Sequence, residues 1–80
     1  MSEAFVRIES IFRKTFKSPS LILHPEMTSF DVPGWDSLNN IALIISIEKE
    51  LRVKFSAAEV VGLQNVGEMV KLVEKKLSDL

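Results

Sequence analysis

Eighty residues, 46% of them hydrophobic and none of them cysteine, predict one small globular domain spanning 1–80 that buries just enough surface to fold alone, with no disulfide framework and no thiolate ligand or nucleophile. Ten basic residues are mixed among eleven acidic ones, so no basic stripe is available for nucleic-acid phosphates and that class of partner is excluded. The longest apolar run, IALII at 41–45, falls far short of the about 20 residues a bilayer span needs, and the opening MSEAFVRIESIF carries Glu3 and Glu9 where a secretory signal would be uninterruptedly apolar, which predicts a cytoplasmic chain.

The first helix is predicted over 4–16. Phe5, Ile8, Phe12 and Phe16 recur at intervals of three and four beside Ile11, and Arg13, Lys14 and Lys17 crowd the end where cations suit the helix dipole. Residues 18–36 hold all three prolines and show no sustained period, so they read as a long ordered loop or one that hides a short helical turn. Its apolar residues Leu21, Ile22, Leu23, Met27, Phe30, Val32 and Trp35 are too many for a solvated linker and are expected to pack across helices.

A second helix is predicted from Ser37 to about Arg52, with Asp36 as its N-cap and Ser37 able to share that role. Its aliphatic residues wrap most of the circumference, which predicts a central helix buried on several sides; the competing reading leaves part of that surface open to a partner. SAAE at 56–59 is a capping box opening a brief third helix that ends near Gly62. Asn65 then caps a last helix over about 66–78, with Met69, Val70, Val73 and Leu77 on one face, Lys71, Lys75 and Lys76 away from it, and Gly67 costing about 1 kcal/mol relative to alanine. LRVKFS at 51–56 is the only strand candidate, and one strand has nothing to pair with. The expected fold class is therefore all-α, a four-helix bundle in the order long, long, short, long, with an extended first crossover.

PGWDSLNN, residues 33–40, singles out Ser37. The turn residues and Trp35 precede it, and a helix start would hold its hydroxyl where unsatisfied N–H groups and the positive dipole end welcome a phosphate. Any N-cap serine shares that geometry, so spacing alone favours a purely structural role. A hydrolase would need a base beside the serine; His24 is the only imidazole, it sits in the loop next to proline, and it lacks companions for a metal site. No catalytic residue and no metal ligand is assigned.

GWDSLNNIALIISIEKELRVKFSAAEV resembles the carrier-protein family, the acyl and peptidyl carriers of fatty acid, polyketide and nonribosomal peptide assembly. The likeness rests on Asp36-Ser37-Leu38, the aliphatic run that follows, IEKEL at 47–51, FSAAE at 55–59 and the total length. It implies a bundle of the acyl-carrier type in which Ser37 accepts a 4'-phosphopantetheine arm from coenzyme A through a separate phosphopantetheinyl transferase. The arm would bring the thiol the chain lacks, and acyl groups would ride on it as thioesters. The chain would then be a monomeric, cofactor-bearing substrate rather than an enzyme, served by an acyl- or aminoacyl-activating ligase and by downstream transferases or synthases. The same resemblance assigns Asp36 to positioning the modifying enzyme or its metal ion, and assigns Leu38 and Ile41, with Trp35, Asn39, Asn40 and Val60, to the face that partners read.

The departures carry information too. Carriers of general fatty acid synthesis are strongly acidic just after the serine, where this chain has Asn39, Asn40 and Ala42. Charge complementarity chiefly sets on-rate and partner choice, so a specialised pathway is expected, and GWDSL resembles carriers that include aminoacyl and D-alanyl ones. A reading of another class is a helical interaction module that keeps the fold and binds through its second helix without a prosthetic group. Ile44, Ile45, Val60, Val61 and Val73 either part to shelter a chain or close a tight core, and close packing favours the latter.

Overall fold

The computed structural model describes residues 2–78, and every regular element among them is helical: α1 Glu3–Thr15, α2 Ser37–Leu51, α3 Ala57–Gly62 and α4 Val66–Ser78. The all-α four-helix expectation holds, and residues 51–56 form no strand.

Local chemistry sets each boundary. Ser2 Oγ accepts from the Phe5 N–H at 3.1 Å and starts α1. At its other end the Lys17 N–H donates to the Lys14 carbonyl and the Ser18 N–H to the Arg13 carbonyl, a Schellman closure in which Lys17 takes the left-handed conformation at φ 52°. Arg52 adopts the same conformation after α2, at φ 56°. Both halves of the predicted capping box are formed, the Glu59 N–H donating to Ser56 Oγ and the Ser56 N–H to the Glu59 carboxylate, while Asn65 Oδ1 accepts from the Glu68 N–H at 2.8 Å. The Ser56 backbone donor, and after it Lys76, hold the Glu59 carboxyl below its ordinary range.

The core joins Phe5, Ile8, Ile11 and Phe12 of α1 to Leu43, Ile44, Ile47 and Leu51 of α2 and to Met69, Val70 and Val73 of α4. Each such side chain contributes about 1.5–3 kcal/mol by leaving water. α3 has no fully buried residue and rests on the others through Val60. Helix two departs from the expectation of burial on several sides. Leu38, Ile41 and Ile45 lie on an outward stripe and are 77%, 60% and 46% exposed, because only the stripe containing Leu43 and Ile47 meets α1.

The first crossover is ordered and contains turns but no helix. Leu23 and Val32 are buried in the core, and Trp35 stacks edge-on against Phe12 with ring centroids 5.0 Å apart. Two of its apolar residues do not pack as expected: Ile22, in the irregular stretch 21–24, is exposed beside buried Leu23, and Phe30, in a turn, is 97% exposed. Polar bonds supply the remaining anchorage. Glu9 accepts the Leu23 N–H at 2.9 Å and pairs with Arg13, whose Nε donates to the Leu21 carbonyl at 2.7 Å. The Pro25 and Met27 carbonyls accept the Gly67 and Val66 N–H groups, so the loop itself satisfies the start of α4.

Candidate functional site

Residues 32–40 form one continuous device. The Trp35 N–H donates to the Val32 carbonyl at 3.1 Å, closing a turn with Pro33 second and Gly34 third. Gly34 has φ +87°, the conformation that a type II turn reserves for glycine. The chain then extends through Asp36, which caps α2: its carboxylate accepts the Asn39 N–H and its carbonyl the Asn40 N–H, both at 2.8 Å. Because Asp36 is the cap, Ser37 is the first helical residue and its exposed side chain is free of that duty. The N–H groups of Ser37 and Leu38 belong to the set that a helix leaves without intrahelical acceptors. No acidic side chain lies in the first turn of α2. Negative charge placed on the Ser37 oxygen is therefore favoured by the helix dipole.

Two side chains fasten this turn to the helix that follows. Asn40 Oδ1 accepts from the Trp35 indole N–H at 2.9 Å, and Asn39 Nδ2 donates to the Gly34 carbonyl at 2.7 Å. The resemblance assigned both asparagines to partner binding; the structure gives each an intramolecular bond, and Trp35 is half-buried against Phe12 and Phe16. Leu38 and Ile41 stand outward immediately after Ser37.

Two concave regions meet here. A cleft of about 320 Å³ has Trp35, Asp36, Ser37 and Asn40 on one wall and Leu63, Gln64, Asn65 and Met69 on the other. An apolar groove of about 300 Å³ runs between α2 and α3, past Ile41, Ile44, Ile45 and Val61. Asn40 and Val60 line both and form the ridge between them. Of the aliphatics that had to close or part, Ile44 and Val73 are buried whereas Ile45 and Val61 are exposed. Sequence reasoning overlooked Gln64 and read Asn65 only as the cap of α4, not as part of a cleft wall. His24 is exposed in the loop and does not line the cleft that Ser37 lines.

Comparison with known proteins agrees with this arrangement. Residues 6–73, which include Ser37, match the family model described as the phosphopantetheine attachment site. The acyl carrier protein of Thermotoga maritima is 31% identical over 75 residues, covering 94% of this chain and 93% of that protein. A solution NMR structure of holo acyl carrier protein from Geobacter metallireducens superposes with a TM-score of 0.91 at 36% identity, covering 98% of this chain and 90% of that one. An exposed hydroxyl on the first residue of a helix whose capping is done by the adjacent Asp36 fits a phosphopantetheine group. The chain therefore belongs to the phosphopantetheine-binding acyl carrier protein family.

Proposed function

We propose that Ser37 carries the 4'-phosphopantetheine arm and that the chain serves a specialised pathway rather than general fatty acid synthesis. One observation carries the assignment: Asp36 takes over the capping of α2 and leaves the Ser37 oxygen exposed at the first helical residue. When bound, the group supplies the thiol that a cysteine-free chain lacks, on which acyl groups are held as thioesters. The chain's own part is positional. Asp36 fixes the helix start, Asn39 and Asn40 hold the Pro33–Gly34 turn against it, and Leu38 with Ile41 gives the transferase and later enzymes an apolar surface to dock on. Catalysis belongs to those partners, and the carrier works as a monomer in the cytoplasm.

The specialised pathway is supported by the charge of α2, whose only acidic residues, Glu48 and Glu50, lie at the far end from Ser37. A general synthase that reads an acidic face along the helix after the serine finds no carboxylate in α2 before Glu48. Aminoacyl cargo is the second reading, favoured by the polar residues Asn40, Gln64 and Asn65 in the cleft beside Ser37.

Co-expression with a broad-specificity phosphopantetheinyl transferase tests the attachment. Intact mass is expected to rise by one phosphopantetheine and to stay unchanged in Ser37→Ala. A chain that never gains the arm, or a Ser37→Ala variant that gains it equally, sinks the assignment and leaves the interaction module as the better reading.

A further inference from the structure

The two concave regions near Ser37 differ in chemistry, and only one of them begins at that residue. Ser37 forms part of the rim of the cleft, whereas the groove between α2 and α3 starts one turn further on, at Asn40 and Ile41. Asn40 is the only polar residue of the groove. The cleft instead combines Asn40, Gln64, Asn65, Ser29 and the Asp36 carboxylate, whose Oδ1 caps α2, with the apolar side chains of Leu63 and Met69.

The hydrogen bonds of the fold decide what the cleft still offers. An indole N–H can only donate, so the atom of Asn40 facing Trp35 is its carbonyl oxygen and the Asn40 NH₂ group is left over. Asn65 likewise commits its oxygen to the Glu68 N–H and keeps its NH₂ group. Gln64 engages Glu68 through its backbone N–H, and its exposed side chain adds a third amide. The cleft is thus rich in donors over an apolar floor.

Pantetheine has the matching constitution: two amides and a hydroxyl next to a carbon bearing two methyl groups. Taking an amide carbonyl out of water without a donor is costly, and the groove offers one side-chain amide where the cleft offers three with Gln64 and Asn65. Resting on the assignment of the arm to Ser37, we infer that its pantetheine portion seats in the cleft between the first loop and the α3–α4 link. Asn40, Gln64 and Asn65 donate to its amide carbonyls there, and Leu63 and Met69 receive its geminal methyls. The apolar groove stays free of the arm.

The test uses ¹³C,¹⁵N-labelled holo protein bearing an unlabelled arm, with intact mass confirming attachment. Isotope-filtered NOEs are expected from the geminal methyl protons to Leu63 and Met69, and the side-chain NH₂ resonances of Asn40, Gln64 and Asn65 are expected to shift between the apo and holo forms. Gln64→Ala, which removes an exposed side chain, is expected to lose the NOE to Leu63 while its mass still shows the arm. NOEs to Ile45 and Val61 instead, or no NOEs from an arm that mass shows to be present, overturn the seat and leave the Ser37 assignment standing. A mass showing no arm overturns the Ser37 assignment, and the seat with it.

Discussion

Replacing Gly67 by alanine sets helix propensity against packing. Propensity favours alanine in a helix by about 1 kcal/mol. The structure opposes it: a Cβ at Gly67 would stand 3.0 Å from the Pro25 carbonyl oxygen and 3.3 Å from Pro25 Cβ. That oxygen cannot simply retreat, because it accepts the Gly67 N–H at 2.7 Å and the next bond, from Val66 to Met27, holds the same loop. Overpacking of this kind costs about 1–3 kcal/mol, and weakening the hydrogen bond adds about 1 kcal/mol. The propensity gain offsets part of this, leaving a net loss of about 1–3 kcal/mol, or a melting temperature lower by roughly 4–8 °C for each kcal/mol. Urea unfolding followed by circular dichroism reads the difference as a lower midpoint at unchanged slope. Gly62→Ala is the matched control, since nothing lies within 4 Å of its Cβ position, and it is expected to stabilise by about 0.5 kcal/mol. If Gly67→Ala stabilises as Gly62→Ala does, the clamp of the first loop on α4 is wrong.

Lys17 and Arg52 occupy left-handed positions where glycine avoids the side-chain penalty, so Lys17→Gly and Arg52→Gly are each expected to raise stability by about 1 kcal/mol in thermal melts. Glu59 has a depressed folded pKa, so its contribution is present above the ordinary carboxylate value and lost as pH falls through the folded one; the urea midpoints of wild type and Glu59→Gln are expected to converge on acidification, and a gap independent of pH refutes this. Leu38→Ser and Ile41→Ser remove outward side chains, so stability is expected to stay within about 0.5 kcal/mol of wild type while arm transfer slows roughly tenfold, equivalent to about 1.4 kcal/mol of docking. Unchanged transfer rates would remove those residues from the docking face.

Helix boundaries were legible because local chemistry sets them. Asp36, the Ser56–Glu59 box and Asn65 each bond backbone within three or four residues, and such bonds can be read from spacing. The orientation of α2 was not, since its leucines and isoleucines occur on two stripes and only the position of α1 decides which is covered. The same limit applies to the crossover, where Leu23 is buried and its neighbour Ile22 exposed. Arg13 looked like a dipole-complementing cation; its bond to the Leu21 carbonyl, eight residues away, depends on how the loop folds back. Around the site, Ser37 announced itself through its neighbours in sequence. Gln64 and Asn65 did not, because the far wall of the cleft exists only once α3 and α4 have docked.

Trp35 gives the molecule a native optical gauge. It is the sole tryptophan in a chain without tyrosine, so near-ultraviolet emission comes from a single point, braced by Phe12 behind and hydrogen-bonded to Asn40 in front. Whatever enters or leaves beside Ser37 changes the polarity around that fluorophore. Attachment of the proposed arm at Ser37 is expected to register as a change in that emission, readable in a cuvette with no dye and no substitution.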